Sequence, residues 1–156
     1  MPDANDALFD FDELAPLDFL SRPLALPSAL SDLRGEQFEL TSRGDRVPGR
    51  LLLPAAGPGP FPLVLLQHGL GGAKDAQYLD AVAGPWARRG AAVASIDFPL
   101  HGERASAKLS QKLLATVATR HGGEADGSHA LWVELVRQAV ADLRRTLDAL
   151  ALHSGV

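Results

Sequence analysis

From Gly35 the pattern of apolar and polar positions changes to that of short strands. Phe38 and Leu40 alternate with Glu39 and Thr41, Val47 to Leu53 forms a second short strand, and Ser42-Arg43-Gly44-Asp45 between them supplies a turn, so the stretch predicts a hairpin. Pro48 has no N–H to give a ladder, which places this hairpin at a sheet edge. After a stiff loop holding Pro54, Gly57, Pro58, Gly59 and Pro60, the apolar run Leu63 to Leu66 is too short for an unaided helix. It reads as a strand buried on both faces, central in a parallel sheet. Leu79, Val82 and Trp86 then follow helical spacing behind Asp75, a candidate cap. Gly84-Pro85 falls inside that helix, and an interior proline costs roughly 3 kcal/mol. Two pieces are therefore expected, the second running from Pro85 to a C-terminal cap at Gly90. Ala91 to Phe98 is a second buried strand, and the order strand, helix, strand implies a right-handed crossover and a parallel pair.

Beyond residue 98 the pattern predicts a short amphipathic helix at about 106–119, a polar loop at 120–128, and a long helix capped by Ser128. Its stripe of Trp132, Val136, Ala139, Val140, Leu143, Leu147 and Leu150 should pack on the sheet, with Glu134, Arg137, Gln138, Arg145 and Asp148 mostly outside it. Residues 1–34 mix acidic side chains with Phe9, Phe11, Leu14, Leu17, Phe19 and Leu20, and are broken by Pro16, Pro23 and Pro27. They read as an extension lying on the domain or on a partner, with short helical turns at best.

Composition narrows the function classes. The chain has 156 residues, 46% hydrophobic and 22% charged, with a formal charge of -4, which describes one soluble globular domain without a basic face for nucleic acid. The adjacent pairs Arg88-Arg89 and Arg144-Arg145 fall on helix faces expected to be solvated. The absence of cysteine excludes disulfides, thiolate nucleophiles and cysteine zinc sites. An acidic N-terminus is the reverse of a signal peptide, and no apolar run approaches the ~20 residues that span a bilayer. A cytoplasmic protein without a membrane segment is expected.

The strongest chemical signal is His68-Gly69-Leu70-Gly71-Gly72 at the carboxyl end of a predicted strand, where open α/β sheets bind ligands. Glycines let the backbone turn and aim its own N–H groups at a negative centre, and the Leu70 N–H is the candidate oxyanion donor. A phosphate loop is excluded because Ala73-Lys74-Asp75 stands where Gly-Lys-Ser/Thr is required. A second constellation, Asp97 to Arg104, closes the next strand. Its charges could bond to one another and hold the loop near the site, while His101 has no activated nucleophile beside it. His68, His101, His121 and His129 follow no metal-ligand spacing, so no metal and no cofactor are expected. Trp86 and Trp132 fall on apolar stripes and are assigned to the core.

The ordered series His68-Gly69-Leu70-Gly71-Gly72, Trp86-Ala87-Arg88-Arg89-Gly90 into Ala91 to Asp97, His101-Gly102-Glu103-Arg104 and the helix 129–152 resembles the α/β-hydrolase superfamily. The likeness is to its dienelactone-hydrolase-like esterases and prolyl-oligopeptidase-like peptidases, over about residues 35–156. The resemblance implies an incomplete α/β-hydrolase fold: an antiparallel leading hairpin plus parallel strands with flanking helices. Leu63 to Gln67 would be the third strand and Ala91 to Asp97 the fourth. Residues 1–34 would form an N-terminal extension and 35–156 the N-terminal half of the domain, ending before the nucleophile elbow. The implied chemistry is acyl transfer from a small ester to water by a Ser-His-Asp triad. No serine here has glycine two residues before and two after it, and the family's triad acid and histidine lie beyond that turn. The implied site residues are Leu70 as backbone donor, Gly69 and Gly71 shaping its turn, and His68 and His101 at the substrate. The chain alone is expected to be inactive. In the family the fifth strand flanks the third, so an apolar edge at Leu63 to Leu66 predicts self-association, a bound complementary C-terminal half, or poor solubility. The alternative is a non-catalytic binding or assembly module of the same fold.

Overall fold

The computed structural model describes residues 9–57, 59–119 and 128–156. Its strands are β1 Leu20–Pro23, β2 Arg34–Ser42, β3 Asp45–Leu53, β4 Leu63–Leu65 and β5 Ala92–Ile96, joined in one sheet in the order β1-β2-β3-β5-β4. Only β4 and β5 are parallel; β1 with β2, β2 with β3, and β3 with β5 are antiparallel. The hairpin turns at Arg43-Gly44, whose φ values of 50° and 81° give the tight turn that matches strand twist. Helix α1 Gln77–Arg88 crosses from β4 to β5, and α2 Ala107–Thr119 and α3 Ser128–Leu150 follow.

Two strand assignments change. The hairpin is not at the edge, because β1, formed within a stretch expected to hold only helical turns, pairs outside β2. All four of its residues are exposed, so no burial pattern marked it. Pro48 therefore lies inside the sheet, and a side chain repairs its missing donor. The register sets 48 opposite 97; the Asp97 N–H donates to the Pro48 carbonyl at 3.0 Å, while the Asp97 carbonyl, lacking a return bond, accepts from Arg104 Nη1 at 3.1 Å. The second change is β4: its apolar run reads as a central strand, but it lies at the sheet edge, the position that the resemblance implies for it in this chain. The Leu66 N–H reaches the Ala94 carbonyl and the Ala92 N–H reaches that of Pro62, so the alternation of the ladder turns the N–H and C=O of Leu63 and Leu65 outward.

The sheet is covered on both faces. Phe38, Leu40, Val47, Leu51, Leu53, Ala92, Ala94 and Ile96 pack with Ala149 and Leu150 of α3, whereas Leu52 and Val93 pack with Ala83 and Ala87 of α1 and with Leu30 and Leu33. α1 begins after Ala76 without a side-chain cap, so Asp75 does not cap it, and it runs unbroken through Pro85. Ala81 and Pro85 are both exposed; the carbonyl that a residue-85 N–H would have bonded faces water, which softens the loss. Its buried face is Leu79, Ala83, Gly84 and Ala87, leaving Val82 and Trp86 about half exposed instead of in the core. Small residues win that face because the helix lies close: a Cβ on Gly84 would meet Leu30 Cδ2 at 2.8 Å. The helix ends as expected at Gly90, with paired bonds from Gly90 N–H to the Ala87 carbonyl and from Ala91 N–H to that of Trp86.

α3 is rotated relative to the expected stripe. Gln138, Asp142, Arg145 and Thr146 are buried with Ala141, Ala149 and Leu150, while Leu147 is about half exposed. Each inward polar group has a partner. Gln138 Nε2 donates to the Ser42 carbonyl at 3.1 Å and to Asp142 Oδ1 at 2.7 Å, and Arg104 Nη1 meets Asp142 Oδ2 at 2.6 Å. Arg145, expected on a solvated face, lies under the N-terminal segment and donates to the carbonyls of Glu13 and Ala15. That segment also gives the Leu17 carbonyl to the Thr41 N–H and packs Leu17 and Phe19 on the core. Among the described residues, no helix is long and apolar enough to cross a membrane.

Candidate active site

At the carboxyl end of β4 the chain makes a four-residue turn. The Gly72 N–H donates to the Gly69 carbonyl at 3.0 Å and Gly71 has φ 77°, the geometry of a type II turn with Leu70 and Gly71 at its centre. A side chain at 71 would have space, with no atom within 4 Å of a built Cβ, so the backbone angle, not crowding, calls for glycine there. The Leu70 N–H takes no hydrogen bond among the described residues. The residue is 48% exposed.

His68, just before the turn, uses both ring nitrogens on backbone. The Phe98 N–H donates to Nε2 at 3.1 Å, which puts the proton on Nδ1, and Nδ1 reaches the Gly69 carbonyl at 2.8 Å. The ring thus ties the ends of β4 and β5 together as a neutral tautomer. Burial holds its pKa below the ordinary 6.5, the nearby His101 adds to this, and the Gly69 bond and Asp97 oppose it. A histidine whose pKa is depressed by folding contributes stability in full above 6.5, and loses it as pH falls through the folded value. Acidification from pH 7 to 5 should lower the denaturation midpoint more for the natural chain than for His68→Gln, measured side by side in urea.

His68 and His101 come together, their ring centres 5.0 Å apart, and His101 Nδ1 lies 2.8 Å from the Pro99 carbonyl. Both line a cleft of about 330 Å³ with Gly69, Leu70, Phe98 and the apolar side of α3, from Trp132 through Val136 and Val140 to Leu143. The face of α3 expected against the sheet thus forms the wall of this cleft. His121 lies outside the described residues.

Behind the turn is a buried charge lattice that joins the two constellations. The Asp97 carboxylate is fully buried and accepts from the Lys74 N–H at 2.7 Å, Lys74 Nζ at 3.0 Å and the Glu103 N–H at 3.0 Å. Lys74 Nζ also meets Glu103 Oε1 at 2.6 Å, and Glu103 meets Arg46 at 3.1 Å. Glu103 is held below the usual carboxylate range by its bond from Lys74, against some desolvation. Asp142 is pushed above that range by burial, although Arg104 and Gln138 pull it down. Charge bonding within Asp97 to Arg104 was expected. Lys74 was missed, having served only to exclude a phosphate loop, and so was Tyr78, whose phenol oxygen accepts the Gly69 N–H at 2.8 Å. A lone lysine two residues beyond a glycine turn, facing a strand that ends in aspartate, was the available signal for the first.

The fold as a whole, a mixed sheet with a crossover helix between its two parallel strands, has counterparts among solved structures. The chain is similar to a cold-adapted esterase from an Arctic intertidal metagenomic library, at 27% identity and a TM-score of 0.60, over 86% of this chain and 50% of the esterase. It carries an incomplete α/β-hydrolase fold. Acetyl xylan esterase from Paenibacillus sp. R4 matches at 17% identity and TM-score 0.64, over 97% of this chain and 45% of its own length. Acetyl Xylan Esterase 1 from Thermoanaerobacterium sp. JW/SL YS485 matches at 15% and 0.59, with the same coverages. The chain thus spans about half the length of the hydrolase-fold structures it matches. No family model and no curated protein matches it.

Proposed function

We propose that this chain is the N-terminal portion of a serine hydrolase acting on a small ester, and that it supplies one oxyanion-hole donor, the Leu70 N–H, but no triad residue. The observation that carries this reading is an unpaired backbone N–H at the tip of β4, in a glycine turn opening on an apolar cleft. In the complete enzyme a serine would attack the ester carbonyl, and the oxygen that gains charge would lie against this N–H, with Gly69 and Gly71 shaping the turn and His68 and His101 lining the substrate's approach. One such donor is worth about 10²–10³ in turnover.

A fluorophosphonate probe tests the reading. The full-length natural product is expected to be labelled and the 156-residue chain not; labelling of the short chain would overturn it. Within the full-length protein, Leu70→Pro should deplete turnover by about 10²–10³ while leaving the fold intact, because proline suits this turn position and takes away the N–H. The second reading, a non-catalytic assembly module, is favoured by the outward backbone groups of β4 and the adjoining apolar wall of α3, and requires that neither form be labelled.

A further inference from the structure

Tyr78 lies in the first turn of α1 and is 53% exposed. It fills no part of either core cluster, so hydrophobic burial does not account for its aromatic ring. What it does hold is the Gly69 N–H, which donates to its phenol oxygen at 2.8 Å. Gly69 is the pivot of the turn. Its N–H belongs to the peptide unit shared with His68, while its carbonyl belongs to the unit shared with Leu70. In a planar trans peptide the C=O and N–H point in opposite directions, so whatever fixes the Gly69 carbonyl also aims the Leu70 N–H. That carbonyl is held by His68 Nδ1 at 2.8 Å and the Gly72 N–H at 3.0 Å. Glycine has no Cβ to restrict rotation between the two units, and a Cβ built on Gly69 would touch only the Tyr78 oxygen, at 3.9 Å. External bonds on both units must therefore set the pivot.

We propose that Tyr78 is a positioning residue for the Leu70 amide. It locks the first peptide unit while His68 and Gly72 lock the second. The inference rests on the reading of Leu70 as an oxyanion donor, but the clamp has consequences of its own. Tyr78 acts from the α1 side of the turn and the cleft lies on the α3 side, so the phenol orients the donor without occupying the space in front of it. Gly72 fits the same arrangement: a Cβ there would lie 2.9 Å from the Tyr78 oxygen and 3.1 Å from the Gly69 carbonyl.

The test is amide NMR on the ¹⁵N-labelled chain. Tyr78→Phe is expected to speed hydrogen exchange at Gly69 by at least about fivefold and to move the Leu70 amide resonance, with the amides of β5 unchanged. Gly72→Ala, whose Cβ would press on both the phenol and the Gly69 carbonyl, should disturb the same two amides, and serves if the phenylalanine variant fails to fold. Unchanged exchange at Gly69, or an unmoved Leu70 resonance, would overturn the clamp. Titration of the natural chain with n-butylphosphonate tests the donor reading separately: a shift centred on the Leu70 amide supports it. A silent Leu70 amide alongside a positive Tyr78→Phe result would leave the clamp standing and remove the anion from in front of it.

Discussion

Alanine at position 97 is expected to destabilise the chain by about 3 kcal/mol or more, in the range found when one partner of a buried ion pair is removed. The expectation follows from what the substitution leaves behind. Lys74 is 7% exposed and Asp97 fully buried, so the change strands an ammonium in the interior with only Glu103 to answer it, and orphans the N–H groups of Lys74 and Glu103 as well. Asp97→Asn should cost less, because it keeps the volume and one acceptor oxygen, although its amide NH₂ must then face a donor. Gly102→Ala attacks the same centre from outside. Its Cβ would come within 2.2 Å of Asp97 Oδ1 at a φ of 51°, and a shift of the carboxylate would loosen all three of its bonds. Urea denaturation of the three variants should rank Asp97→Ala as the most destabilised; equal midpoints for the natural chain and Asp97→Ala would show that the lattice contributes nothing. The pH dependence has a definite sign at each end. Burial lowers the Lys74 pKa, but Glu103 and Asp97 more than offset this and leave it above 10.5, so its stabilisation is complete below 10.5 and disappears as pH rises through the folded value. Glu103 is shifted the other way, and its contribution, complete above 4.5, is lost as pH falls through its folded value.

Elements whose residues answer to one demand were legible in the sequence. Leu63 to Leu66 and most of Ala91 to Ile96 are apolar because both faces of those strands meet apolar groups, and the hairpin turn and the Gly90 cap are set by backbone angles that few residues tolerate. Elements that answer to two demands were misread. On α3 the apolar stripe and the buried face are different faces: Gln138, Asp142 and Arg145 turn inward to bond Ser42, Arg104 and the N-terminal segment, while Trp132, Val136 and Val140 face the cleft. Periodicity reports hydrophobicity, and cannot distinguish a face covered by the sheet from one beside an open groove. On α1 close approach favoured alanine and glycine over Val82 and Trp86, a choice made by the neighbouring Leu30 and invisible in local spacing. The turn at the site could be read from its glycines. The groups that hold it could not, because Lys74 reaches Asp97 across 23 positions and Tyr78 bonds through an oxygen on an outward helix face.

A second effect expected on the free chain concerns β4, whose amides should divide into two classes. The Leu66 N–H is spent on β5, and by the alternation of a parallel ladder so is that of Val64, whereas Leu63 and Leu65 present theirs outward. At high dilution Leu63 and Leu65 should exchange hydrogen at least about tenfold faster than Val64 and Leu66, the ratio that one ladder bond of about 1.4 kcal/mol would produce. Beside this edge the Gln67 carboxamide has both its nitrogen and its oxygen buried without a partner among the described residues, and the apolar wall of α3 flanks the cleft that begins at His68. An added strand would answer the unpaired backbone, and its side chains would cover the apolar wall, so one occupant meets both demands. Raising the concentration into the micromolar range should therefore slow exchange at Leu63 and Leu65 selectively as the chain self-associates, and a complementary C-terminal half, supplied in trans, should do so at lower concentration. Exchange at these two amides that stays fast and concentration-independent, with a monomer on gel filtration, would show that the edge is satisfied by water alone and would remove the case for pairing through β4.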